Sequence, residues 1–182
     1  MLTRLVLIAA LGVLARGSSQ DFEKADLATK RLAPAMFASL PLGIRRDLEK
    51  RGCTIPQSFA ATRVENVVRG RFTSATETDW AVLCSVERVS SILVFRGGSL
   101  SSVAELARYA DSTFLQVVGA NGAIGYSRAL GVADAKYIRA HNRNDPNLPR
   151  LNRDGINDIF VEKGSSVWYW QGGRWLELSG AD

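Results

Sequence analysis

Two segments of the chain repeat one another. Ser90-Ser91-Ile92-Leu93-Val94-Phe95-Arg96-Gly97-Gly98 aligns without a gap with Ser165-Ser166-Val167-Trp168-Tyr169-Trp170-Gln171-Gly172-Gly173, at an offset of 75 residues. Each copy is a short apolar run closed by two glycines, the pattern of a buried strand that ends at a turn. Each follows an Asp-led apolar strand, Asp79-Trp80-Ala81-Val82 and Asp158-Ile159-Phe160-Val161. The pair reads either as two hairpins alike by composition or as a two-fold internal hairpin repeat.

The rest of the chain supplies more strands than helices. Residues 80–86 are apolar on both faces, the composition of a central strand. Residues 66–72 form a strand with Gly70 at a bulge. Asn121-Gly122, between residues 114–118 and 124–128, is the strongest hairpin signal. Residues 135–139, 158–162, 166–170 and 174–178 complete the expected strands. Phe22, Ala25, Ala28 and Leu32 suggest a helix over 18–33. Residues 41–51 form a firmer one, with Leu40, Ile44 and Leu48 on one face, Ser39 as a cap, Pro41 in the first turn and Gly52 at the stop. Ser102-Val103-Ala104-Glu105 fits a capping box that opens a short third helix. The predicted fold class is α+β, a mostly antiparallel sheet with two or three short helices. With 46% hydrophobic and 23% charged residues in 182, the chain can bury a core, which excludes disorder and suits one domain.

The opening segment bears on compartment. Met1-Leu2-Thr3-Arg4 is a basic start, residues 5–15 are an uncharged apolar run, and Ala15-Arg16-Gly17 places small residues where a signal peptidase reads. This predicts a secretory signal over 1–17, an N-terminal arm or short helix over 18–38 and a single domain over 39–182. The run has 11 residues, whereas a membrane span needs about 20; no membrane span is expected here or later. The product is expected to be secreted or periplasmic. In that setting Cys53 and Cys84, the only two cysteines, pair as a disulfide joining a helix end to a strand. One His and two Cys exclude a Cys-rich zinc finger. Removing Arg4 and Arg16 lowers the formal charge from +5 to +3. The remaining basic stretch over 128–153 beside an acidic end reads as solvated faces, so no nucleic-acid partner is expected.

Gly70-Arg71-Phe72, Asp79-Trp80-Ala81-Val82 and Asn152-Arg153-Asp154-Gly155-Ile156-Asn157-Asp158 resemble the strand pairs of FG-GAP-type propeller blades. The likeness spans two stretches of about 30 residues, fewer copies than close a propeller. It implies a secreted or cell-surface protein with calcium in its Asp-rich loops and partners on its blade faces.

Three constellations can carry function. Asn152, Asp154 and Asp158 place alternating oxygen ligands around Gly155, as a weak calcium loop would; position twelve from Asn152 is Lys163, which excludes an EF-hand. The same residues can instead cap their own turn. Trp168 and Trp170 share a strand face that Trp175 can join, as an aromatic platform for sugar rings or a protein partner, or as core. His141 can act with Asp154 and Asp158 only if the fold brings them together. No Gly-x-Ser-x-Gly elbow and no phosphate loop is present. The sequence therefore predicts a secreted or periplasmic non-catalytic module that binds a protein or glycan, with no cofactor beyond weakly held calcium. The alternatives are a small secreted hydrolase and a calcium-stabilised accessory domain. Mass spectrometry of the exported product should show Ser18 as the first residue and a mass two hydrogen atoms below that of the dithiol form.

Overall fold

The computed structural model describes residues 19–182; the expected signal segment lies outside the described residues. From α1 (Ser19–Ala28) the chain passes through β1 (Arg31–Leu32), α2 (Leu42–Lys50) and β2 (Ile55–Pro56). It then builds β3 (Val67–Gly70), β4 (Asp79–Val86), β5 (Val89–Phe95) and β6 (Val103–Ala110), which pair consecutively as a four-stranded antiparallel sheet. A two-stranded hairpin, β7 (Leu115–Val118) and β8 (Ala123–Tyr126), leads into β9 (Arg128–Ala133) and α3 (Ala135–His141). With β10 (Gly155–Phe160), β11 (Gly164–Gln171) and β12 (Arg174–Ser179), β9 forms a second sheet of the same kind in the order β9-β10-β11-β12. The described residues thus hold three α-helices and twelve strands in four antiparallel sheets, a mostly β member of the α+β class.

Alternation along the central strands explains the layers. One face of β4 carries Val82 and Cys84, which join Leu93 and Phe95 of β5 and pack on Ile44 and Leu48 of α2. The other carries Ala81 and Leu83, which join Ile92 and Val94 and meet Leu130 and Ile156 of the second sheet. The far side of that sheet presents Ala133, Val167 and Tyr169 to Ile138 of α3. Helix, sheet, sheet and helix therefore stack in four layers. The first sheet is thereby buried on both faces at β4 and β5, which is why those strands read as apolar.

The Cys53–Cys84 disulfide is formed, with Cα atoms 5.2 Å apart and both cysteines buried. It joins the segment leaving α2 to β4, as the sequence predicts. Thr54 and Ser85 reinforce the same junction: each backbone N–H donates to the other's carbonyl, at 2.9 and 2.8 Å. Both outer strands of the second sheet are met by an asparagine side chain. Asn66 accepts from Leu130 N at 2.7 Å and donates to the Arg128 carbonyl at 3.2 Å, on β9. Asn142 accepts from Ser179 N at 3.1 Å and donates to the Ser179 carbonyl at 2.8 Å, on β12.

Four expectations about elements change. The capping-box segment is not a helix but β6, because pairing with β5 directs Ala104 and Leu106 to the inter-sheet core and Val103 to the α2 side. Residues 135–139 are not a strand but the body of α3, whose N-cap Asp134 accepts from Tyr137 N at 2.7 Å. Pro41, not Ser39, stands at the cap of α2. β10 begins at Gly155, three residues before the expected start, which carries Asp158 from the head of the strand to its middle. Gly155 permits this because a Cβ there would run into Val167. The two Ser-Ser segments fall on β5 and β11, the third strand of each sheet, but their hairpins turn differently. Glu87 and Arg88 make a two-residue turn with φ of 50° and 63°, while three residues separate β10 from β11. Cys53→Ser should lower stability by about 3–4 kcal/mol, read as a shift in urea midpoint that the wild type reproduces when reduced.

Candidate functional site: the cavity between the sheets

Arg128 opens β9 with its side chain fully buried, at 0% exposure. A guanidinium there must place five N–H groups on acceptors inside the protein. Nε and Nη2 donate to the two Asp158 carboxylate oxygens, each at 2.8 Å. Nη1 donates to Ser90 Oγ at 3.1 Å, with a longer contact of 3.4 Å to the Ser90 carbonyl. Nη2 also donates to the Ala107 carbonyl at 2.9 Å. Ala107 sits in the left-handed region at φ 49°, within the irregular β5–β6 pairing. Across β9 and β10, Arg128 lies opposite Phe160 and Leu130 opposite Asp158, so arginine and aspartate are diagonal neighbours on the inner face. The guanidinium also stands over two rings, 4.5 Å from the centroid of Phe114 and 5.6 Å from that of Tyr109. One side chain thereby ties β5 and β6 of the first sheet to β10 of the second.

A second buried network lies beside it. Asp111 accepts at Oδ2 from Ser85 Oγ at 2.7 Å and from Arg31 Nη2 at 2.8 Å. Arg31 also meets Asp26 at 2.6 Å, so α1 is anchored by charge to the end of β6. Burial, reinforced by the Asp111 charge, pushes the Tyr126 hydroxyl above its ordinary range and keeps it neutral.

Next to the Arg128–Asp158 pair, a cavity of about 350 Å³ opens between the inner face of the second sheet and the β6–β7 connection. Tyr109, Phe114, Phe160 and Trp168 form its aromatic walls. Asp158, Lys163, Glu177 and the hydroxyls of Thr113 and Ser166 supply its polar lining, while the Ser165 hydroxyl turns to Tyr137 on the outer face. Strand register explains much of this convergence: Trp168 lies opposite Glu177 on β12, and Asp158 opposite Ser166 on β11. Lys163 Nζ stands 4.7 Å from the centroid of the Phe160 ring.

The three C-terminal tryptophans do share a strand face, the inner one. All are half-buried, and Trp168 and Trp175 pack into the inter-sheet core. Trp170 and Trp175 meet edge to face, 5.4 Å apart at 62°, and the Arg96 guanidinium covers Trp170 at 4.1 Å. They form a joint rather than a coplanar open platform, and Trp168 is the one that lines the cavity. Its indole Nε1 and that of Trp175 are buried without a hydrogen-bond partner among the described residues.

The calcium candidates point apart. Asp154 accepts from Arg71 N at 2.9 Å, Asn152 accepts from Arg153 Nε at 3.1 Å, and Asp158 is engaged by Arg128. Four residues of extended strand separate Asp154 from Asp158 by about 13 Å, too far for one coordination sphere. Among the described residues, no group of three or more His, Cys, Asp or Glu is placed to hold a metal ion. His141 ends α3, its ring tilted 51° to that of Tyr137 with centroids 4.5 Å apart. That helix covers the outer face of the second sheet whereas Asp158 faces inward, so histidine and aspartate are on opposite sides.

The sequence counts Arg128 in a solvated basic stretch, which its full burial corrects, and it gives Asn66 no role at all. The signal for Arg128 was a lone cation in an otherwise small and apolar run, 126–133. Asn66 carried none: its φ of 72° and 1% exposure belong to the tertiary structure. Comparison with protein-family models, with curated proteins and with solved structures finds no match. Asp158→Ala should cost about 3–5 kcal/mol, since it leaves a buried guanidinium uncompensated. Glu177→Gln, an exposed substitution, should stay within about 0.5 kcal/mol of wild type; urea denaturation of the two variants separates them.

Proposed function

We propose that this chain is a non-catalytic binding module of an oxidising, extracytoplasmic compartment, with the cavity between its sheets as the ligand seat. The observation that carries the reading is the cavity itself: aromatic walls and a few polar groups, set on strands and on a buried ion pair. Such preorganised concavities are the usual seats of small ligands. Binding is favoured over hydrolysis because both Asp158 oxygens already accept from Arg128 and the lone histidine lies across the sheet. The Cys53–Cys84 bridge supports the compartment. The shared Ser-Ser to Gly-Gly sequence and the matching four-strand order support a further reading, that the two sheets are versions of one blade-like unit. The ligand then sits at the joint between units.

Glycan and peptide arrays probed with the oxidised full chain test this. The wild type should give discrete signals, and Ser166→Trp, which fills the cavity, should lose them while keeping its disulfide and melting temperature. Undiminished binding by that variant would move the contact elsewhere.

A further inference from the structure

The class of ligand follows from which surfaces of the cavity the chain has already used; the argument rests on the cavity being the ligand seat. Aromatic walls with carboxylates ordinarily suit a quaternary ammonium. Here that use is pre-empted. Arg128 stands over Phe114 and Tyr109, and Lys163 over Phe160, at centroid distances of 4.5, 5.6 and 4.7 Å. Three of the four wall rings therefore already face a cation of the chain. The charges also cancel: Asp158 and Glu177 against Lys163 and the adjoining Arg128. An incoming cation meets Lys163, with the buried Arg128 behind Asp158, and an incoming anion meets two carboxylates.

What remains is suited to a neutral molecule with two kinds of surface. Trp168 offers an aromatic wall over which none of the described residues places a cation. Glu177 is exposed and among the described residues makes no ion pair, so its carboxylate is open to hydroxyl donors. Asp158 accepts one N–H on each oxygen, which leaves further acceptor capacity on both. Thr113 and Ser166 add hydroxyls that can donate or accept. A pyranose ring has this duality: C–H groups on one face and O–H groups around its rim. The volume of about 350 Å³ lies near the low end for small-molecule cavities, about 300–1,000 Å³, which suits one or two sugar units. We propose that the cavity binds a neutral saccharide, with Trp168 stacked on its C–H face and Glu177 accepting from its hydroxyls as the specificity residue.

Titrating the oxidised full chain with glucose, galactose, mannose, N-acetylglucosamine and their disaccharides tests this, with choline and glucuronate as charged comparators. Intrinsic tryptophan fluorescence and calorimetry give the readouts. At least one neutral sugar should saturate. Glu177→Gln should weaken it about tenfold, because a neutral amide oxygen replaces a charged acceptor and an N–H replaces the second one, at an unchanged melting temperature. Preference for choline or glucuronate, or a Glu177→Gln variant that binds sugar as tightly as wild type, overturns the proposal. If no neutral sugar binds while an array ligand remains sensitive to Ser166→Trp, the saccharide assignment fails and the binding-module reading stands. If nothing is sensitive to Ser166→Trp, both fail.

Discussion

A guanidinium with no exposed surface constrains everything around it. Arg128 holds Asp158 with two hydrogen bonds and spends the rest on Ser90 and the Ala107 carbonyl. The first sheet must therefore hold Ala107 in a left-handed conformation, and the second must keep Asp158 on its inner face. Removing either charge from water is expensive, and the geometry offsets that cost only when the set of partners is complete. Few relative placements of the two sheets satisfy it. Hydrophobic contact among Leu83, Ile92, Leu130 and Ile156 supplies most of the attraction, but it is non-directional. The arginine adds direction.

The aromatic residues follow from that placement. Phe114 and Tyr109 lie beneath the guanidinium, and Phe160 is its direct cross-strand neighbour. Farther along the same face, Trp168, Trp170 and Trp175 complete the joint between the sheets. The cavity arises where this face runs from close packing at Ile156 to the polar positions 158 and 166. It is a graded edge of the core, and its floor is as rigid as the core behind it.

Local pattern was legible where burial on both faces leaves a continuous apolar run, as in β4 and β5. It was legible too where chemistry marks an end, as at Gly52 after α2 and Asn121-Gly122 between β7 and β8. The disulfide was legible because there were only two cysteines to pair. Failures occurred where a local signal was outvoted by tertiary contact. Ser102 to Glu105 carries a helix-start motif, yet eight residues gain more from pairing with β5 than from an isolated helix. Asp154-Gly155 reads as a turn, yet Gly155 is a site of close packing beneath α3. That shift of three residues turned a candidate calcium ligand into the partner of Arg128. Neither the ion pair nor the cavity leaves a trace in spacing, because Ser90, Ala107, Arg128 and Asp158 come together only when the sheets stack.

Asn66 and Asn142 have a consequence of their own. A side-chain amide carries one donor group and one acceptor, like the peptide unit it imitates, and each asparagine engages an N–H and a C=O on an outer strand. Unoccupied strand margins invite another polypeptide to extend the sheet, the first step toward fibrils. Here each margin of the second sheet ends in a counterfeit peptide group, fixed to the chain and unable to propagate. A domain with broad apolar β-surfaces can in this way stay soluble at concentrations where bare margins would recruit one another.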